Sequence, residues 1–390
     1  MHVHDALSLL LFALGAFLIP LGAGRIGVPA AVGEIIYGVV VGPHVIGLMH
    51  KGPMTTFLAE LGFAFLMFLV GLEIDFSRIE RAGTRNVAVS AIAAAAVFVV
   101  AWAATLVLDL PLFLALVFAA MSVGILLVTL NEVGMTKSDA GQGMIFVGSL
   151  GEALTIVALT ALSFYYRFGI GLRLALELGK LVAIFLAAYA VLVLLRTLIW
   201  WKPASFMRVV RTHDPSEVGV RAGMALMLSF VALAALLGIE PILGAFLAGA
   251  LFSFVFRAKG VLETKLSSIG FGFFVPIFFI WVGTEFDVSV VGSTKTWVTV
   301  ATYAGASLIA KLLPSMLLLA RGFSLRQCLG SALLLGAPLT LLVAIARIGL
   351  DVKVISKSSA AAVVLLAIVT GIVFPMLFRL LFRPRAATPQ

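Results

Sequence analysis

Charge is what this sequence has least of. Only 12% of its 390 residues are Asp, Glu, Lys or Arg, against 62% hydrophobic residues and a mean hydropathy of +1.19. A water-soluble domain carries roughly twice that share of charge. The composition therefore excludes a soluble globular protein and points to a chain that lives in a lipid bilayer. The only cysteine, Cys328, excludes an internal disulfide and thiol-pair metal or redox chemistry, and reads as a small buried side chain. His2 and His4 have no companion cluster of carboxylates, so no resident metal and no other cofactor is expected. No nucleophile–base pair stands within the apolar segments, which argues against an enzyme. The net charge of +9 does not indicate nucleic acid, because the basic residues are scattered singly between apolar runs.

What is abundant is apolar sequence in lengths that fit a membrane. A hydrocarbon core of about 30 Å takes roughly 20 residues of helix, and on that measure the chain predicts thirteen spans. They begin near Ala6, Val28, Thr55, Val87, Leu112, Gly143, Leu176, Val220, Pro241, Phe271, Trp297, Gln327 and Ser358. The expected fold is an all-α polytopic membrane protein, a single transmembrane domain over 1–390 with no soluble regulatory domain. Met1–Asp5 lacks a positively charged leader, so the first span reads as retained. The connections on one side, with the C-terminal tail, carry most of the 27 basic residues. That bias places the N-terminus outside and the C-terminus in the cytoplasm of a cell's inner membrane, which requires an odd number of spans.

The chain also resembles itself. Val70-Gly71-Leu72-Glu73-Ile74-Asp75 answers Val282-Gly283-Thr284-Glu285-Phe286-Asp287, Leu126–Gly134 answers Leu341–Gly349, and Gly33 and Gly38 answer Gly244 and Gly249. Each match pairs spans seven apart: second with ninth, third with tenth, fifth with twelfth. Because seven is odd, the copies run through the membrane in opposite directions, as in many secondary transporters. Repeat one covers about 6–166, a linker helix about 176–200, and repeat two about 220–383.

A charge near the bilayer centre is costly, so its default reading is functional. Glu152 in the sixth span and Lys311 in the eleventh each lie about ten residues from the cytoplasmic end. That is roughly 15 Å, half the core. The pair can titrate as ions come and go, or can form a fixed bridge that orients helices. Ser149, Glu152 and Thr155, three apart, share a helix face and give a carboxylate flanked by hydroxyl oxygens, a donor set suited to a hard alkali cation. Gly148 and Gly151 would let a neighbouring backbone approach. Ser122 and Gly124 in the fifth span, and Gly336 and Pro338 in its repeat partner, are expected break points exposing backbone dipoles at mid-membrane; packing of small residues is the alternative for Ser122 and Gly124. Glu34 is read as reaching water near the start of its span. Glu73, Asp75, Glu285 and Asp287 are read as solvated helix ends, Glu177 and Lys180 as a local pair, and the connection from Arg196 to Arg221, with His213-Asp214-Pro215, as a topogenic loop.

These residues carry a resemblance. Gly33-Glu34 through Gly38 and Gly42-Pro43, Leu58–Gly62 to Gly71–Asp75, Pro241–Gly249, Phe273–Phe279 to Val282-Gly283, and Lys311 together resemble the transport domain of the monovalent cation:proton antiporter-2 family, over nearly the whole chain. The resemblance implies a homodimer, a dimerisation panel from spans 1–3 and 8–10, and a mobile core from spans 4–6 and 11–13. It implies exchange of sodium or potassium for protons by alternating access, with the cation on the sixth-span carboxylate. That carboxylate is usually an aspartate after a polar residue; here the pair is Gly151-Glu152. Lys311 would compete with the cation for Glu152. A passive or gated cation channel or efflux subunit, and a transport-inactive family member, are the alternatives.

Overall fold

The computed structural model describes residues 3–26, 29–49, 52–73, 83–201, 217–255, 260–286, 288 and 292–382. Asp75, Asp287 and the polar connection around His213-Asp214-Pro215 lie outside them. The described residues of the expected spans are helical, apart from the interruptions given below. In order these are α1 (Val3–Ile26), α2 (Ala30–Val41), α3 (Pro53–Glu73), α4 (Thr84–Val107), α5 (Leu114–Ala119), α6 (Gly124–Glu132), α7 (Asp139–Phe168) and α8 (Leu172–Trp201). There follow α9 (Val218–Leu236), α10 (Pro241–Val255), α11 (Gly260–Ile269), α12 (Val275–Glu285), α13 (Thr294–Ser315), α14 (Leu325–Leu335), α15 (Leu339–Asp351) and α16 (Lys357–Leu381).

Nine of these stretches are long and apolar enough to cross a membrane alone, or ten if α14 and α15, bent by 44° at their junction, form one span. The second, fifth and ninth expected spans are shorter apolar helices. Two expected spans are thus interrupted: the fifth is split into α5 and α6, the twelfth into α14 and α15. The tenth is continuous but holds a π turn at Gly270–Phe274 between α11 and α12. Pro276 follows it at once. Its missing N–H and its clash with the preceding turn are relieved when the ladder widens there.

Local chemistry sets several boundaries. Pro53 and Pro241 open α3 and α10, where a missing N–H costs nothing. Ser324 and Gln327 form a reciprocal capping box on α14. Pro314 ends α13, a 3-10 turn over Met316–Arg321 follows, and Gly322, at φ +86°, stops the chain from continuing helically.

The chain divides into two compact units, each built from two separate stretches of sequence. The first comprises residues 1–78 and 168–288, with α1–α3 and α8–α12; the second comprises 79–167 and 289–390, with α4–α7 and α13–α16. In the first unit one crossing is made twice. A Cβ on Gly38 of α2 would lie 1.9 Å from the Ile280 carbonyl oxygen and 3.0 Å from the Gly283 Cα of α12. A Cβ on Gly249 of α10 would lie 2.0 Å from the Phe68 carbonyl oxygen of α3, and one on Gly71 would lie 2.1 Å from that of Phe246. Gly38 and Gly249 answer each other in sequence, as do Gly71 and Gly283. The α2–α12 and α3–α10 contacts are therefore the same contact with its partners exchanged. Stacked rings fill the space beside them: Phe63 on Phe278 at 4.5 Å and Phe65 on Phe274 at 5.2 Å.

Two expectations are corrected here. Glu34 does not reach water; it is buried within α2, 4% exposed. Gly148 and Gly151 of α7 do not admit a neighbouring backbone. Cβ positions there meet side chains: Leu335 and Val123 at 3.2 Å for Gly148, the Met121 Cε at 2.1 Å for Gly151. Glu177 and Lys180 do pair, at 2.7 Å on α8.

Candidate functional site

The site lies within the second unit, around the interruption between α5 and α6. Residues 120–123 read Ala-Met-Ser-Val, with neither proline nor glycine among them. The helix stops because Ala120 turns to ψ 130°. Gly124 opens α6 with nothing within 4 Å of where its Cβ would stand. In the partner interruption Gly336 closes α14 and Pro338 precedes α15. A Cβ on Gly336 would strike the Phe374 ring of α16 at 2.9 Å. The halves contact crosswise, α14 with α6 and α15 with α5. Two broken helices that cross at their breaks give this pattern.

Breaking a helix leaves carbonyls without partners on one side of the gap and amides on the other. Here two buried charges face those two ends. Glu152, in the middle of α7 and 2% exposed, accepts the Val123 N–H on Oε2 at 3.2 Å, at the start of α6. Lys311 of α13, wholly buried, donates from Nζ to the Phe118 carbonyl at 2.6 Å, near the end of α5, and to the Ser307 hydroxyl at 2.7 Å. A carboxylate complements the positive end of a helix dipole and an ammonium the negative end. Acid and base thus bracket one interruption from opposite sides, and Lys311 donates to two neutral oxygens.

The other expected ligands fall around the same gap. Ser122 is in it, buried. Ser149 and Thr155 are buried on α7, one turn to either side of Glu152. The Thr155 hydroxyl donates to the Gly151 carbonyl at 2.7 Å, which spends its proton and leaves its oxygen lone pairs. Met121 packs on Gly151, so the space a polar residue before the carboxylate would need is filled by a thioether from the gap itself.

Sequence reasoning missed Ser307, the Phe118 carbonyl, the Val123 amide and Met121. Ser307 was within reach, because it stands four residues before Lys311 and so on the same helix face. The two backbone groups had no side-chain signal to find.

With this geometry in place, comparison with known proteins is informative. The chain is 32% identical to the YjbQ protein of Bacillus subtilis (strain 168) over 96% of its length, and spans 63% of that relative. It is 29% identical to the Na(+)/H(+)-K(+) antiporter GerN of Bacillus cereus, covering 92% of this chain and 91% of GerN. Its fold matches that of the sodium proton antiporter MjNhaP1 from Methanocaldococcus jannaschii with a TM-score of 0.66 at 15% identity, over 97% of each chain. The family model for sodium/hydrogen exchanger, transmembrane, matches residues 10–383, and the chain belongs to that family.

Proposed function

We propose that the chain is a secondary active transporter that exchanges a monovalent cation, Na+ or K+, for H+ by alternating access. One observation carries the reading: a buried carboxylate, Glu152, bonded to a backbone amide inside a broken helix, with three hydroxyl-bearing residues around it. Ser122, Ser149 and Thr155 with Glu152 form the cation and proton site, and Lys311 is its charge partner. The carboxylate holds either the cation or a proton, so one replaces the other. The likeness to GerN, a Na(+)/H(+)-K(+) antiporter, supports the substrate class.

The broader assignment follows the same logic. The thirteen apolar segments cross the inner membrane with the N-terminus outside. The two sequence repeats are inverted copies, and the protein works as a homodimer. The experiment is reconstitution in liposomes with a trapped pH dye, driving exchange with sodium or potassium, for wild type and Glu152→Gln. Cation-dependent proton movement that falls at least a hundredfold in the variant is the expected result. Uncoupled cation leak would favour a channel, and no movement with any alkali cation would favour a transport-inactive protein.

A further inference from the structure

A cavity of about 620 Å³ opens at one end of the second unit, between the end of α4 and the first turns of α13 and α16. Its lining is unusually rich in hydroxyls, among them Thr296, Thr299, Tyr303, Ser356 and Ser359. It includes Lys295 and no acidic residue. At about 30 Å³ per molecule, the cavity has room for on the order of 20 waters. It does not have the carboxylates that would hold an alkali cation, and Lys295 would repel one. Its chemistry suits water and protons.

The cavity runs deep. From the start of α13 at Thr294 to Tyr303, its inner lining residue on that helix, is nine residues, or about 14 Å at 1.5 Å per residue. Counted from the expected start of this span near Trp297, Tyr303 lies six residues, or about 9 Å, inside the hydrocarbon core. Lys311 lies two turns further along α13. Its side chain folds back one turn to reach Ser307 at 2.7 Å, as helical side chains lean toward the N-terminus. The ammonium therefore stands near the level of Ser307, one turn, about 6 Å, past Tyr303.

What closes that last turn is aromatic. Tyr303 is 4% exposed, and its ring packs edge-on against Phe118 at 5.4 Å. Phe118 is the residue whose carbonyl accepts from Lys311. The Tyr303 hydroxyl has no hydrogen-bond partner among the described residues, so the cavity is where its partner would be. Of the elements packed against α13, α4 carries Arg85, the 3-10 turn Arg321, α14 Arg326, and α16 Lys357 and Arg379, all near helix ends; α5 carries no charge. On α7, Glu152 lies on the far side of the interruption. Among the described residues of α13 and the elements packed against it, Lys311 is thus the one charge away from a helix end.

We propose that this cavity is a water-filled inlet to Lys311, closed at its floor by Tyr303 and Phe118. When Tyr303 moves aside, Lys311 meets water and hydronium by a route that does not pass Glu152. In the exchanger proposed above, the cation and the lysine's proton need not share an entrance. The inference concerns access rather than exchange, and its test runs without an ion gradient. Unreactive cysteines would leave antiport untouched, and a silent transport assay would leave the inlet untouched.

The test is thiol accessibility in purified protein. Cys328→Ser removes the native thiol, and single cysteines are placed by Thr299→Cys on the cavity wall, Ser307→Cys beyond the floor, and Ile309→Cys on the exposed apolar face of α13. A charged methanethiosulfonate should modify Thr299→Cys at least tenfold faster than Ile309→Cys. Ser307→Cys should react slowly with Tyr303 present and at least tenfold faster once Tyr303→Ala removes the floor. Equal rates for the Thr299 and Ile309 variants, or no acceleration by Tyr303→Ala, would overturn the inlet. If Ser307→Cys does not fold, Tyr303→Cys takes its place: reaction at the wall's rate supports the inlet, and reaction at the rate of Ile309→Cys overturns it.

Discussion

The two units differ in how many of their glycines stand against the backbone of another helix. In the first, Gly38, Gly62, Gly71, Gly244, Gly249 and Gly283 each stand with a backbone carbonyl oxygen about where a Cβ would go, at 1.9 to 2.2 Å. In the second, Gly148, Gly151, Gly330 and Gly349 meet side chains: Leu335 and Val123, Met121, Phe378 and Phe382, and Phe113 and Ile355. A backbone pressed on a backbone has nothing to move, whereas a side chain can change rotamer. Polar burial divides the same way. Among the described residues the first unit buries Ser8, Glu34, Thr55, Ser253 and Thr284, and the second all the other buried polar side chains, including Glu152 and Lys311. The first is an apolar frame set by close helix crossings; the second buries most of the polar side chains, with Glu152 and Lys311 at its broken helix.

That contrast breaks first, if it breaks at all, at the helix crossings. Gly38→Val and Gly249→Val each force a side chain onto a carbonyl oxygen, where repacking cannot help. Each should cost more than about 4 kcal/mol, read as loss of dispersed, folded protein on size exclusion in detergent. Folded variants with wild-type thermal midpoints would show that the first unit is as pliable as the second. The corresponding substitution in the second unit, Gly151→Ala, meets the Met121 terminal methyl instead. It should cost about 1 to 3 kcal/mol, and Met121→Ala should recover most of that loss in the double variant. A double variant no better than the single would mean that Met121 is not what holds position 151 to glycine.

Lys311 sharpens the comparison from the polar side. Lys311→Met keeps the length and apolar stem but strips the Phe118 carbonyl and Ser307 hydroxyl of their donor. Leaving a buried acceptor unmet should cost about 1 to 3 kcal/mol, read as a lower thermal midpoint. Ser307→Ala, which leaves Phe118 in place as a partner, should cost less, about 1 kcal/mol. Equal losses would assign the lysine's contribution to Ser307 alone.

How far the sequence carried these conclusions depends on what each one rests on. Helices were legible because apolar length is a composition signal; Gly38 with Gly249, and Gly71 with Gly283, were legible only as matching residues, and the structure is what puts them at helix crossings. Glu152 and Lys311 stood out by cost alone. The hydrogen-bond acceptors of Lys311 did not: one is a carbonyl freed by a helix break. No side chain encodes Phe118 as an acceptor; the break between Ala120 and Val123 does, and Ser122 and Gly124 mark a break point there without saying which carbonyl it frees. Glu34 was misjudged because position along a helix says how near the end lies, and nothing about which neighbours cover it.

The smallest effect expected separates two lysines of one chain. Lys180 of the first unit sits on α8 with its side chain 40% exposed, bonded to Glu177 one turn before it. With Glu177 16% exposed the pair is only partly buried, so its Coulomb attraction is still partly screened and is offset by the side-chain freedom lost to hold it. Glu177→Gln should therefore shift stability by no more than about 0.5 kcal/mol, well below Lys311→Met in the same assay. The ordering is the informative quantity, since both lysines make bonds of nearly equal length, 2.7 Å and 2.6 Å. If Glu177→Gln cost as much as Lys311→Met, bond geometry rather than burial would govern charge in this fold, and the second unit would lose its claim to be where buried charge is decisive.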